Sequence, residues 1–422
     1  MLMNLPTELE LAACVGLDWA DQRHLISLQA TGCNNTESRQ LEQKPDALHD
    51  WVAQLRTRFQ GRPVGIAIEQ SRGAVIHALM MYDFLVLYPI NPKALARYRE
   101  TFRGSGAKDD PSDAELLLDL LRLHRNRLRV WLPDTVETRR LQLLVEYRRK
   151  LVNNRIRHTN RTTSMLKMYF PQALDWVGQL GTVQSCDFLQ QWPALMAILQ
   201  APPSQVQQFY QQHQCRRPAL IQQRLLQIST ARSLTDDPAV VDALSLAVQA
   251  EASQLRSIID CIARLDHIIA LQFAAHPEHH LFESFTGAGA VCAPRLLIAL
   301  GTDRSRWESP ADLQSYSGIA PITKKSGKSC LVHRRLACSH FVRQTFHEFA
   351  AQSIRYSTWA RAYYDQMRGR GLQHPAAVRA LAFKWIRIIY RCWVDHQPYD
   401  EQIHLKSLRA KQSPLVKNED SE

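Results

Sequence analysis

The 422-residue sequence has no run of about 18 apolar residues, so no membrane-spanning helix is expected. It also lacks any Cys-x-x-Cys pair, and nine cysteines is an odd number, which argues for reduced thiols rather than a disulfide framework. The cluster Cys330, His333, Cys338 and His340 has metal-capable side chains, yet its spacing fits no zinc pattern. Glu8 and Glu10 stand where a secretory signal would carry bases, so a cytoplasmic protein is expected. With 45% apolar and 22% charged residues the composition is that of soluble globular proteins, against disordered, collagen-like or fibrous chains. The length corresponds to about three domains.

What the sequence has in excess is positive charge, a net +12 from 52 basic and 40 acidic residues. Two segments hold it. Arg139 to Lys167 carries nine bases against Glu146 alone, and Lys324 to Arg391 carries fourteen against Glu348 and Asp365, leaving the rest of the chain at −8. Two concentrated tracks match a phosphate backbone better than a solubilising coat does. Neither has the aromatic or leucine-rich opposite face that would enter lipid, so no membrane partner is expected.

The first part alternates strand and helix signals. Cys14 to Trp19 and His24 to Ala30 read as a hairpin, followed by a helix over Leu48 to Phe59 and the buried strand VGIAIE, Val64 to Glu69. A short helix (Gly73 to Met81), a strand (Phe84 to Ile90) and a helix (Pro92 to Phe102) complete a mixed sheet with helices packed against it. After Ser112 nearly everything reads as helix, beginning with Asp113 to His124. Thr135 to Lys167 is predicted as a long amphipathic helix with Leu141, Leu144, Val145, Leu151, Val152 and Ile156 on one face and bases on the other. From Val241 to Ile269 a three-four alternation broken only at Glu251 predicts a coiled coil of about four heptads, pairing with the first long helix or across a dimer. Between them, Ala173 to Asp237 is Gln-rich helical sequence. In the last part, Ser317 to Ser329 reads as a loop, helices follow from Arg335, Trp359 and Pro375, and a frayed polar tail begins past Leu405.

Two constellations carry chemistry. Asp18 and Glu69 each end an apolar strand, where acids are depleted, so they can converge at one sheet edge. Asp110 and Asp113 lie three apart at a helix start and share a face. Four such carboxylates repel unless cations neutralise them, and they suit two Mg²⁺ ions about 4 Å apart, the arrangement used in phosphodiester chemistry. Simple helix capping by Asp110 and Asp113 is the plainer alternative. The second constellation is TKKSGKS, Thr323 to Ser329, where Gly327 admits a phosphate close to the backbone, lysines offset its charge and a serine hydroxyl can attack phosphorus. It is not a Walker loop, and a flexible basic loop touching nucleic acid is the plainer alternative.

GLDWA around Asp18, AIEQS around Glu69, KDDPSDAELL around Asp110 and Asp113, the basic stretch YRRKLVNNRIRHTNRTTSMLKMYFP, and LQSYSGIAPITKKSGKS with HRRLACSHFVRQTFHEFA occur in one order along the chain. Together they resemble the insertion-sequence one-ten family transposases, DEDD-type serine recombinases. The resemblance implies an α/β plus all-α chain: a RuvC/RNase H-like DEDD domain (1–132), a helical coiled-coil region (133–280), a helical C-terminal transposase domain (281–404) and a polar tail (405–422). It implies that Asp18, Glu69, Asp110 and Asp113 hold Mg²⁺ and that Ser326 forms a covalent phosphoserine link to DNA. Asp109 competes with Asp110 as third ligand, Asp110 being preferred as the one three residues before Asp113, and Ser329 is a weaker rival of Ser326. Further implications are DNA partners at element ends and target, a noncoding guide RNA from the element, and a nucleoid-associated homo-oligomer, dimer or tetramer, joined through the coiled coil, in which one protomer's acidic domain meets another's serine. Arg148, Arg149, Lys150, Arg155, Arg157 and Arg161 would grip RNA or an RNA–DNA hybrid, and Lys324, Lys325, Lys328, Arg334 and Arg335 the DNA. A plain RNase H-like nuclease using activated water and a non-catalytic RNA-binding scaffold are the competing readings.

Overall fold

A computed structural model describes residues 9–69, 73–102, 110–327 and 329–415, with only the backbone described at 102 and 110–112. The chain divides into two compact units, Met1–Pro133 and Asp134–Glu422.

The first unit is built on a five-stranded sheet of order β3-β2-β1-β4-β5. Its strands are β1 (Ala13–Asp18), β2 (Arg23–Ala30), β3 (Glu37–Glu42), β4 (Val64–Ile68) and β5 (Leu85–Pro89). β1, β2 and β3 pair antiparallel, while β1, β4 and β5 run parallel, as expected when helical crossovers join the later strands. Strand β3 is absent from the sequence reading because only Leu41 of its six residues is buried. A polar edge strand has no apolar run to announce it, and its charge guards the open edge.

Side chains alternate between two faces of the sheet. Ala13, Val15, Leu17, Val64, Ile66 and Ile68 pack with α1 (Pro45–Arg58) and α2 (Ala74–Leu79). The opposite face, with Cys14, Ala67, Val86 and Tyr88, packs on Leu95 of α3 (Pro92–Phe102) and on Leu116, Leu117 and Leu121 of α4 (Asp110–His124). By this alternation Asp18 and Glu69 belong to the α4 face. Gly16, two residues before Asp18 on that face, lets α4 approach. A Cβ there would lie 2.0 Å from the Ala114 carbonyl oxygen and 2.5 Å from the Leu118 amide nitrogen.

In the second unit α5 (Val136–Tyr169), capped by the Thr135 hydroxyl accepting from the Thr138 amide at 3.2 Å, is paired with α11 (Pro238–Ala274). Leu141 and Val145 share one core with Ile269 and Phe273, while Leu166 and Tyr169 share another with Val248 and Ala252, so the pair is antiparallel. The apolar stripe of α11 is therefore covered by α5 within one chain, which decides between the two pairings left open by the heptads. Ile156 is 48% exposed rather than on the buried face. The Gln-rich stretch folds into α6 (Ala173–Trp176), α7 (Val183–Gln191), α8 (Leu195–Leu199), α9 (Pro203–Gln212) and α10 (Pro218–Ser229) around Phe188, Trp192, Phe209 and Tyr210, edge-to-face aromatics that the glutamines had masked.

The C-terminal core joins α12 (His279–Glu283), α13 (Gly289–Leu300), α14 (Pro310–Tyr316), α15 (His340–Ser353), α16 (Thr358–Gly369), α17 (His374–Asp395) and α18 (Glu401–Ala410). Helix α15 starts five residues after the expected Arg335, where the Ser339 hydroxyl caps the Val342 amide. Helix α18, capped by Asp400, runs to Ala410, five residues beyond Leu405, past which the sequence predicts a frayed tail. The expected loop is instead a β-ribbon, β6 (Ile322–Ser326) against β7 (Ser329–His333), turned at Gly327 with φ +55°. A positive φ in a two-residue connection suits glycine and matches the twist of a tight hairpin.

Candidate active site

The register Leu17↔Ile68 sets Asp18 and Glu69 side by side, each one residue past the last pair, at the carboxyl ends of two parallel strands. Helix α4 brings Asp113 over the same edge. Oxygens of Asp18, Glu69 and Asp113 lie within 4.8 Å of one another, with Asp18 9% and Asp113 0% exposed. The side chain of Asp110 and all of Asp109 lie outside the described residues, so the fourth position is not placed.

Three carboxylates so close need positive charge. Arg99, in the last turn of α3, directs both Nε (2.9 Å) and a terminal nitrogen at one oxygen of Asp113, Oδ1. The other oxygen, Oδ2, is buried and has no hydrogen-bond partner among the described residues. A buried anionic oxygen left this way costs free energy unless a cation or donor meets it. An all-oxygen donor set with one unsatisfied buried oxygen fits a hard divalent cation such as Mg²⁺. Arg99 and Gly16 are the members of this site that sequence reasoning missed. Gly16 left a signal, a glycine inside an apolar strand, which often marks close backbone approach. Arg99 left none, because it lies fourteen residues from its partner.

In the second unit Ser326 ends β6 opposite Ser329, exposed, with Lys324 and Lys325 exposed on the same strand. Lys328 lies outside the described residues. The ribbon also exposes Leu331 and Val332. Strand alternation turns Cys330 and His333 to opposite faces, so the cysteine–histidine set at 330–340 does not converge.

The bases of α5 divide by partner. Arg148 pairs with Asp266, and Arg149, whose pKa burial pulls down, pairs with Glu348 at 3.2 Å, so both guanidiniums are held inside the unit. Arg161 reaches Glu251 at 2.7 Å while staying 61% exposed. Lys150 and Arg157 are exposed and Arg155 is half-buried. Further along, Arg334 is exposed and Arg335 half-buried.

A five-stranded mixed sheet of this order, with acids gathered at the carboxyl ends of its parallel strands and on the facing helix, defines a RuvC/RNase H-like domain, here followed by a mainly helical remainder that carries one two-stranded ribbon. Comparison with known proteins narrows this. Residues 15–171 match the DEDD transposase domain of the IS110 type, and residues 279–365 match the domain described as Transposase IS116/IS110/IS902 family. The chain belongs to this family of insertion-sequence transposases, enzymes of DNA recombination. It is 29% identical over 403 residues to the Streptomyces coelicolor mini-circle protein assigned as the transposase for IS117, covering 92% of this chain and 95% of that protein. The insertion element IS900 42 kDa protein of Mycobacterium paratuberculosis is 24% identical over 400 residues, 91% of this chain and 96% of its own. The pilin gene-inverting protein of Moraxella bovis is 28% identical over 188 residues, 41% of this chain and 56% of that protein. Among the described residues no helix is long and apolar enough to cross a membrane.

Proposed function

We propose that this transposase cuts and rejoins DNA through a covalent phosphoserine intermediate, with Mg²⁺ held by Asp18, Glu69, Asp113 and Asp110. The observation that carries the reading is the cluster of Asp18, Glu69 and Asp113, in which the buried Oδ2 of Asp113 has no hydrogen-bond partner among the described residues. Bound there, Mg²⁺ supplies Lewis-acid polarisation of the scissile phosphate. Asp18 and Asp113, held by β1 and α4, keep the donor oxygens in place, and Arg99 orients the Asp113 carboxylate. Ser326 Oγ forms the bond to phosphorus as a phosphorus–oxygen bond of the DNA breaks, and the serine proton ends on the departing hydroxyl. One phosphoester replaces another, so the reverse attack by a different strand end rejoins DNA without an outside energy source. Exposure of Ser326 at the tip of a two-stranded ribbon supports this role, since a DNA strand needs access to the hydroxyl.

In this reading Lys324, Lys325, Lys328, Arg334 and Arg335 hold the DNA backbone beside Ser326. Lys150, Arg155, Arg157 and the outer part of Arg161 contact a guide RNA or its hybrid with DNA, whose base pairing would select the sequence. Arg148 and Arg149, engaged by Asp266 and Glu348, position α5 rather than grip phosphate. The guide RNA and the oligomer rest on the family resemblance.

The test incubates the protein with Mg²⁺, element-derived RNA and labelled junction DNA and looks for a protein–DNA adduct that survives denaturation. The adduct is expected with the native chain, and not with Ser326→Ala or without RNA. Undiminished cleavage to free ends by Ser326→Ala would replace serine attack by metal-activated water, and RNA binding without DNA processing would leave only the scaffold reading.

A further inference from the structure

The second group of metal-capable side chains lies far along the sequence from the acidic edge, on the short helix α12. His279, His280 and Glu283 each offer a ligand atom within 4.8 Å of the other two. The spacing explains it: Glu283 is four residues from His279 and three from His280, so both pairs meet on one side of a helical turn. The two imidazoles lie 3.6 Å apart between ring centroids and tilt by 39°.

The surroundings already orient one of these ligands. Nδ1 of His279 donates to the His276 carbonyl at 2.8 Å, which orients the ring and leaves Nε2 as the nitrogen that could take a metal. A ring nitrogen donating to a carbonyl while the other faces outward is the usual support of a metal-bound histidine. His276 is itself fixed, buried, with Nε2 on the Thr138 hydroxyl at 2.9 Å and Nδ1 accepting from the Glu278 amide at 3.1 Å. Glu278 is held in turn by Arg304 at 2.6 Å. The turn between α11 and α12 is thus anchored to α5 and to the 3₁₀ turn carrying Arg304, while His280 and Glu283 remain exposed and reachable from solvent.

We propose that His279, His280 and Glu283 form a Zn²⁺ site separate in kind from the acidic edge. Two imidazoles and a carboxylate select a borderline transition ion, whereas the all-carboxylate edge selects a hard one. Three protein ligands leave one tetrahedral position to water. The ion joins both ends of α12 and thereby stiffens the connection from the long helix α11 to the C-terminal core.

The test uses the untagged full-length chain with excess Mg²⁺, titrated with Zn²⁺ by calorimetry and with Co²⁺ by visible absorption. The native chain and Asp18→Asn are expected to take up the same Zn²⁺ equivalent, to show the same d–d bands with Co²⁺, and to melt at a higher temperature with Zn²⁺. His280→Ala and Glu283→Gln, changes at exposed positions, are expected to bind at least about tenfold more weakly and to lose the Zn²⁺-dependent rise in melting temperature. Zn²⁺ affinity and melting shift equal in the native chain, His280→Ala and Glu283→Gln would overturn the site and move any binding to the cysteines. Loss of the equivalent in Asp18→Asn alone would overturn it in favour of the acidic edge.

Discussion

Two buried carboxylates, one in each unit, are both met by arginine, and the difference between them separates a structural acid from a functional one. Glu251 interrupts the heptads of α11 and is 7% exposed, and both its oxygens are engaged, Oε1 by Arg161 at 2.7 Å and Oε2 by His158 Nδ1 at 2.6 Å. Asp113 is more deeply buried and groups with Asp18 and Glu69, yet Arg99 concentrates both donors on Oδ1 and Oδ2 has no partner among the described residues. A fully partnered acid in a helix pair sets register. A half-partnered one among other carboxylates fits the cation site proposed above.

The strongest way to break this comparison is to neutralise each acid. Asp113→Asn is expected to reduce Mg²⁺-dependent DNA processing to background. Glu251→Gln is expected to lower stability by about 1–3 kcal/mol, as for charge-assisted hydrogen bonds, with processing per folded molecule unchanged. Equal loss of processing in both, measured on junction DNA at matched folded fractions, would erase the distinction.

Next comes Arg99. Removing it in Arg99→Ala strands a buried carboxylate and should destabilise the first unit by about 3–5 kcal/mol, with Mg²⁺ restoring more melting temperature than it does to the native chain. A thermal melt of Arg99→Ala insensitive to Mg²⁺ would show that Oδ2 does not face a cation site.

A smaller effect is expected at Gly16, where an added methyl meets backbone atoms of α4 that cannot swing away. Gly16→Ala should cost about 1–3 kcal/mol and weaken Mg²⁺ binding by moving Asp113 off Asp18. At Gly327, with φ +55° and nothing within 4 Å of an added Cβ, alanine should cost about 1 kcal/mol of strain confined to the ribbon. Denaturant melts together with Mg²⁺ calorimetry separate the two glycines.

The smallest effect is acid sensitivity. Burial pushes the Glu251 carboxyl up, but the hydrogen bonds from Arg161 and His158 outweigh it and hold its pKa below the ordinary 4.5. The folded value being the lower one, this stabilisation is complete above 4.5 and is lost as pH falls through the depressed folded value. The melting-temperature gap between the native chain and Glu251→Gln should therefore close below pH 4.5, and a gap that is constant with pH would contradict the pairing.

Much of this was legible from residue order. Alternation and apolar runs predicted four of the five strands, and an acid at each of two strand ends pointed to the acidic edge where Asp18 and Glu69 meet. What escaped was whatever depends on a partner distant in sequence. Arg99 has no local pattern, the aromatics of α7 and α9 are diluted by glutamine, and the ribbon at Ser326 read as a loop because Gly, Ser and Lys dominate it. The basic helix was legible as basic, but not which bases face inward to Asp266 and Glu348.

Sequence alone determined which residue types were available and at what period: acids closing apolar strands, a heptad stripe with one charged break, two basic tracks, and the motif order of the transposase family. These follow from local spacing, which sets faces within one element. The tertiary structure alone decided that α11 pairs with α5 inside the chain, that α4 can rest on Gly16 and bring Asp113 to Asp18, and that Arg99 takes one oxygen of Asp113 and leaves the other. Each of these is a meeting of separate elements, settled by packing and charge compensation across space rather than by any pattern along the chain.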